Sequence, residues 1–208
     1  KGRLYDFLGN YKLANEALDL ALKLFPNDAE VFMYRGRFYL YQDEFDKALL
    51  ELNKAIETDS TYADAFKQRG RLFEIQEKFE LALADYTKAI ALDPENPLWY
   101  SNRAYLYETL DEENKALIDY SKAIELDPEN TKRILSRAKL NMNMDNVIQA
   151  ENDYKKAIKT TPNDANVLCE YALFLGRNRE FKRALEQFEK AIKIDKNETS
   201  IYFHRAKV

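Results

Sequence analysis

The stretch "KAIALDPEN", Lys88–Asn96, decides how the rest of the chain is read. Its first six residues return as "KAIETD" at 54–59, "KAIELD" at 122–127, "KAIKTT" at 156–161 and "KAIKID" at 190–195, each copy 34 residues after the last. The same step joins Arg35, Arg69, Arg103 and Arg137, and it joins Pro94, Pro128 and Pro162, with Pro26 two steps before Pro94. A fixed period along the whole chain marks a repeat architecture, in which each copy is one supersecondary unit and neighbours stack to bury a shared core.

Each copy reads as two helices. In Ala63 to Leu92 the segment "ADAFKQRGRLFEIQ" is followed by "FELALADYTKAIAL", and apolar or small residues recur in both at three- and four-residue spacing. The break between them, "QEK" here and "QDE" or "LDEE" elsewhere, is short enough to force an antiparallel hairpin. The unit closes at "DPEN" or "TPND", where proline cannot extend the helix before it but suits the first turn of the next segment. Small residues hold fixed places: Gly36, Gly70, Ala104, Ala138, Ala172 and Ala206 in first helices, Ala48, Ala82, Ala116 and their counterparts in second helices. Helices approach closely only where a side chain is nearly absent, and Leu52, Phe66 and Tyr86 are placed to fill the adjacent grooves.

This pattern resembles the tetratricopeptide repeat, or TPR: a 34-residue helix–turn–helix with a small residue, an aromatic three positions later, then Ala, aromatic, Ala and a closing Pro. The resemblance implies an all-α, right-handed superhelical solenoid of stacked antiparallel hairpins. It frames a single solenoid over residues 1–208: a partial repeat 1–28, full repeats 29–62, 63–96, 97–130, 131–164 and 165–198, and a partial repeat 199–208. Ser60 and Lys196 replace the closing Pro, and Asn141 replaces the first-helix aromatic. Both ends fall in the phase of a first helix, which suggests a fragment of a longer protein.

Composition narrows the function. The 208 residues carry 32 Lys+Arg against 36 Asp+Glu, a net charge of −4, unlike the strongly basic balance of a general nucleic-acid binder. Five Gly and five Pro leave little room for a turn-rich β fold. Cys169 is the sole cysteine, so nothing demands an oxidising compartment. No apolar run approaches the roughly 18 residues of a membrane span, so membrane insertion is not expected. Cytoplasmic localisation is the default, although the chain does not begin with Met and a removed targeting segment stays open.

No catalytic constellation stands out. Acid–base or nucleophilic chemistry needs convergent groups of tuned pKa, yet the only histidine, His204, and Cys169 are a repeat apart in sequence. They cannot supply a zinc site, and no glycine loop cradles phosphate. The chain reads as non-enzymatic, without metal or cofactor. One internal pairing does stand out. Sixteen residues after each recurrent arginine comes an acid: Arg35/Glu51, Arg69/Asp85, Arg103/Asp119 and Arg137/Asp153, changing together to Tyr171/Gln187. This spacing predicts a salt bridge between the two helices of a repeat, with the arginine stem packed on apolar surface.

The resemblance also implies that first helices line a concave face which binds extended or helical peptides. Position 9 of each repeat reads Arg3, Arg37, Arg71, Tyr105, Lys139, Leu173 and Lys207, mostly basic on an acidic chain, which favours an acidic peptide. Acids share the face at Glu30, Asp64, Glu74, Glu108 and Glu170. The carboxylate-clamp subgroup of TPR co-chaperones is matched in part: Lys67, Asn102 and Lys132 agree, whereas Arg71 and Ser136 depart from the expected Asn and Arg. The peptide-binding groove expected here is therefore Arg37, Lys67, Arg71, Asn102, Tyr105, Lys132 and Lys139. The leading expectation is a scaffold for a protein or peptide partner. Its alternatives are a targeting or regulatory arm of a larger enzyme and a module that binds chaperone tails; homo-oligomerisation through uncapped ends stays open. In "LWYSNRAYLY", Leu98–Tyr107, Trp99 falls in a packing slot otherwise held by Val31, Ala65 and Val167.

Overall fold

The computed structural model describes residues 11–208, so Arg3 and the start of the first partial repeat lie outside the described residues. Among these residues the secondary structure is entirely helical, in twelve helices. They form two compact units, one ending at Leu106 and one running from Tyr107 to Val208. The first contains α1 (Tyr11–Leu24), α2 (Ala29–Leu40), α3 (Phe45–Thr58), α4 (Ala63–Ile75), α5 (Phe79–Leu92) and most of α6 (Pro97–Thr109). The second contains α7 (Glu113–Leu126), α8 (Thr131–Asn143), α9 (Val147–Thr160), α10 (Ala165–Arg177), α11 (Phe181–Ile194) and α12 (Thr199–Arg205).

Hairpins α2/α3 and α4/α5 build the first unit, and α8/α9 and α10/α11 build the second. Each of these four hairpins turns through one left-handed residue, at Asp43, Glu77, Asp145 and Arg179, and the α6–α7 connection does so at Asp111, with φ between 56° and 62°. The bonds around it are those of a Schellman motif: Lys78 N–H donates to Phe73 O at 2.8 Å and Glu77 N–H to Glu74 O at 2.9 Å. Glycine usually takes this position; here the paired carbonyls offset the cost of a side chain in the left-handed region. Between repeats the last residue of "PND" or "DPEN" caps the next helix. Asp28 Oδ1 accepts from Glu30 N–H at 2.8 Å, Asp164 Oδ1 from Asn166 N–H at 2.9 Å, and Asn130 Oδ1 from Arg133 N–H at 3.3 Å.

The alanine positions of the second helices explain the close packing. Ala48, Ala55, Ala82 and Ala89 in the first unit, and Ala116, Ala123, Ala150 and Ala157 in the second, are wholly buried. At Gly36 the approach is closer still, since a Cβ there would stand 2.6 Å from Leu52 Cγ. Larger residues close the layers. In the first unit Phe32, Met33, Leu40, Leu52 and Leu72 form one cluster, and Phe66, Ala89 and Trp99 form another. Trp99 is 2 % exposed, and its indole N–H donates to Asp93 Oδ2 at 3.3 Å, so it closes the layer between α4, α5 and α6. In the second unit Ile134, Tyr154, Tyr171, Phe174 and Leu175 are the centre, continuing into Leu168, Phe188 and Ile201.

Candidate functional site

The recurrent arginine anchors three helices, not two. Arg69 Nε and Nη2 donate to Asp85 Oδ2 and Oδ1, both at 2.8 Å, and Nη1 turns back to Asn53 Oδ1 in α3, also at 2.8 Å. Arg137 repeats this in the second unit, with Asp153 at 2.9 and 2.7 Å and Ser121 Oγ at 2.9 Å. Arg103 Nη1 likewise donates backward, to Thr87 Oγ1 at 3.1 Å. Its expected forward partner, Asp119, is buried on α7 at the place that Asp85 and Asp153 hold in their own repeats. Arg103 belongs to the first unit and Asp119 to the second, so an Arg103–Asp119 bridge stays an expectation of the spacing. Each backward bond stitches one repeat to the one before it.

Arg35 and Glu51 do not join in the expected way. Arg35 Nη2 donates to Tyr39 Oη at 3.4 Å and Nη1 stands 3.8 Å from Asp19, while Glu51 is held by Lys54 at 3.1 Å. Arg35 Nε and Glu51 Oε2 are both buried without a hydrogen-bond partner. Glu51 stands where Asp85 and Asp153 stand in later repeats, and its extra methylene does not present both oxygens squarely to the fork. In the fifth repeat, where Tyr171 replaces arginine, the cation comes from the second helix instead. Arg183 Nη2 reaches Glu151 at 2.7 Å and Tyr171 Oη at 2.6 Å. Arg183 and then Lys155 hold the Glu151 carboxyl down at about 2.

On the first-helix face of the first unit, Arg37 of α2 and Arg71 of α4 meet at tyrosine rings, and Lys67 of α4 lies close enough to feel both charges. The Arg37 guanidinium lies 4.9 Å from the Tyr34 ring centroid and 6.0 Å from that of Tyr41, and Arg71 lies 5.6 Å from Tyr41. Tyr41 is thus shared by two guanidiniums. Burial pushes the Lys67 ammonium below the usual lysine range, and the Arg71 and Arg37 charges push the same way, partly offset by Asp64 and Glu74. Glu74 is itself engaged, accepting from Tyr86 Oη at 2.6 Å. Asn102 on α6 is half-buried, with its Nδ2 buried and donating to no acceptor. Tyr105, on the same helix, is exposed.

The second unit treats its expected groove residues differently. Lys139 donates to Glu170 at 2.8 Å, so its charge is matched by the next repeat. Lys132 is exposed on the first turn of α8, and Glu108 accepts a hydrogen bond from Tyr120. Cys169 is buried with Leu168, Ala172 and Phe188, and burial pushes its thiol up to about 11. That makes it packing, because the reactive form of cysteine is the thiolate. The tyrosines of the cationic cluster and the backward partners of the arginines escaped the sequence reading. A signal for the latter exists: Asp19, Asn53, Thr87 and Ser121 are all acceptors in register, and Lys155 appears where arginine gives way to Tyr171.

Profiles of known families settle the class. A tetratricopeptide-repeat profile matches residues 1–63, another matches residues 100–130 and 165–198, and a TPR-repeat profile matches residues 70–111. The chain belongs to the tetratricopeptide-repeat family. None of the curated proteins compared with it matches. Solved structures share the TPR fold. PilW, a widely conserved type IV pilus biogenesis factor, aligns with a TM-score of 0.82 at 17% identity, over 97% of this chain and 94% of its own. Pseudomonas aeruginosa pilF aligns with a TM-score of 0.79 at 19% identity, over 100% and 94%. YrrB, a TPR protein with an unusual peptide-binding site, aligns with a TM-score of 0.69 at 21% identity, over 92% and 98%. At such identities the likeness is one of fold. TPR arrays serve as protein-interaction scaffolds, and these repeats support that class of function. Among the described residues no helix is long and apolar enough to cross a membrane.

Proposed function

We propose that this TPR chain is a non-catalytic scaffold whose first unit binds an acidic segment of a protein partner on its first-helix face. The observation that carries the reading is the Arg37–Lys67–Arg71 cluster. Arg37 and Arg71 meet at the Tyr41 ring, and Lys67 is held at an electrostatic disadvantage by burial and by both guanidinium charges. A carboxylate entering the cluster relieves the mutual repulsion and the desolvation of Lys67 together, so binding pulls a proton onto Lys67 at alkaline pH. The unpaired Asn102 Nδ2 offers a donor to a ligand oxygen, and supplying one recovers part of the roughly 1–3 kcal/mol that a buried orphan donor costs. The second unit is a weaker candidate, because Lys139 already has Glu170.

The test is fluorescence anisotropy with a labelled Asp/Glu-rich decapeptide. Lys67→Glu with Arg71→Glu should weaken binding by about 100-fold, each lost charge-assisted contact being worth roughly 1.4 kcal/mol. Lys139→Glu should change it about threefold or less, about 0.7 kcal/mol, as an exposed and already paired cation. Equal affinity for the native and Lys67→Glu/Arg71→Glu proteins, or net proton release on binding at pH 9, would sink the reading.

A further inference from the structure

In the second unit Asn141 interrupts the aromatic pattern of the repeats. In the first unit two recurrent arginines, Arg35 and Arg69, are covered by the ring one turn further along the helix. Arg35 lies 5.8 Å from the Tyr39 centroid, and Arg69 lies 5.9 Å from that of Phe73. In the second unit the same place after Arg137 is Asn141. Its short amide is drawn toward Asp153 Oδ2 and Asn146 Nδ2, both at 3.4 Å. What remains is an open cleft of about 360 Å³, walled by Leu117 and Ser121 of α7, Arg137 and Asn141 of α8, and Gln149, Asn152 and Asp153 of α9. A guanidinium that elsewhere sits against a ring here lines an open space.

Exposed aliphatics stand beside the cleft, and at one of them, Ile148, the other repeats carry polar residues. Ile148 is 73 % exposed and Ile118 68 % exposed, the two most exposed large hydrophobic residues among those described. Ile148 shares a helical face with Asn152, and Ile118 shares one with Ser121, so both flank the opening. In the other repeats the place of Ile148 is held by Lys12, Asp46, Glu80, Asn114 and Lys182. One repeat has thus lost its internal ring and gained an exposed aliphatic on the wall beside the gap. Solvent alone is a poor match for that pairing, since exposed aliphatics grouped at a recess mark contact with another molecule.

We propose that this cleft receives an aromatic side chain from a protein partner, with aliphatic neighbours of that side chain resting on Ile118 and Ile148. The ring lies against the Arg137 guanidinium, as Phe73 does against Arg69, while Ser121, Gln149 and Asn152 offer hydrogen bonds to a phenol or indole edge. The occupant is a peptide segment, not a small aryl metabolite, because only a chain extending beyond the cleft covers both isoleucines. This site is independent of the acidic-segment site in the first unit and uses none of its residues.

Two measurements on the full chain test it. In the first, p-cresol is titrated and followed by ¹H–¹⁵N spectra. Saturable shifts are expected at the Arg137 Nε–H and the Gln149 and Asn152 side-chain amides, with a dissociation constant of order a few millimolar, as for a single-ring fragment. Asn141→Phe supplies the repeat's own ring and should weaken the titration at least about tenfold. If Asn141→Phe does not fold, Ser121→Trp, an exposed substitution that fills the cleft from the opposite wall, should do the same. In the second, a random dodecapeptide library is selected on the native chain. Enriched peptides should pair Tyr, Trp or Phe with aliphatics, be lost on Asn141→Phe, weaken on Ile148→Lys, and persist on Lys67→Glu/Arg71→Glu. Absence of saturable shifts overturns the site. Titration by p-cresol without Asn141-dependent peptides overturns the peptide occupant in favour of a small aryl ligand. Self-association abolished by Ile148→Lys overturns it in favour of a second copy of the chain.

Discussion

Removing Arg69 while leaving its partners in place should be the most damaging polar substitution in the first unit. Asp85 has a side chain only 7% exposed and Arg69 one 23% exposed, and they share two bonds of 2.8 Å. Arg69→Met keeps the apolar stem but leaves a buried carboxylate without its cation, which costs about 3–5 kcal/mol. It also frees Asn53 Oδ1, a smaller loss of about 1 kcal/mol or less. Asp85→Ala strands the more exposed partner and should cost less, about 2–3 kcal/mol. Arg69→Met/Asp85→Leu replaces the pair by apolar groups and should recover most of the loss, since the desolvation penalty of both charges disappears. Asn53→Ala isolates the link between repeats and should cost roughly 0.5–1.5 kcal/mol. Urea titration by far-ultraviolet circular dichroism measures each variant, and hydrogen exchange should place the lost protection in α3, α4 and α5. For a chain of this size each kcal/mol shifts Tm by about 2–4 °C. Additive single losses below about 0.5 kcal/mol each, with no coupling in the double-mutant cycle, would show that the fork is surface decoration.

Other substitutions probe the same framework. Glu51→Asp should let the first repeat form the fork seen at Asp85 and Asp153, satisfying Arg35 Nε, and should raise Tm by about 2–4 °C, for a gain near 1 kcal/mol; an unchanged or lowered Tm counts against the methylene explanation. Glu151 has a folded pKa near 2, below its ordinary 4.5. It therefore contributes stability that is fully present above the ordinary value and is lost as pH falls through the folded one. Melts between pH 6 and pH 2 should show that loss, and Glu151→Gln should flatten it. Cys169, its thiol pushed up by burial, should resist Ellman's reagent in the native state at pH 7.5 and react at once in urea. Rapid native labelling would place it at the surface.

The period of 34 placed the helices because every repeat repeats the same local chemistry. First helices begin at Ala29, Ala63, Pro97, Thr131 and Ala165, in step with the recurring turn residues. The spacing of sixteen within one repeat was enough to set Arg69 beside Asp85, since hairpin geometry dictates which residues face each other. Contacts between repeats were harder to read. Arg69 with Asn53 and Lys139 with Glu170 depend on how one hairpin leans on the next, which no single repeat encodes. Arg35 shows the limit from the other side: the acid is present at the right spacing, and one methylene changes its partners. The groove chemistry was legible as a list of cations. Which cations cluster depended on Tyr41, at the end of α2, whose ring lies beside both Arg37 and Arg71. The gap beside Arg137 was visible as a departure from pattern at Asn141, but its size and walls belong to the packed helices.

The backward reach of the arginines also sets where this chain can be cut. A segment opening at Ala63 keeps the Arg69–Asp85 fork but deletes Asn53, and one opening at Thr131 keeps Arg137–Asp153 but deletes Ser121. Phe45 to Leu92, by contrast, encloses every hydrogen bond described for Arg69, because it opens with a second helix and closes with the next one. The smallest cassette that keeps them all is therefore about one and a half periods long, opening at a hairpin turn and closing at a proline turn. A chimera joined at a proline turn loses only the backward bond, whereas one joined at a hairpin turn parts an arginine from its carboxylate, so the first should tolerate foreign neighbours better than the second.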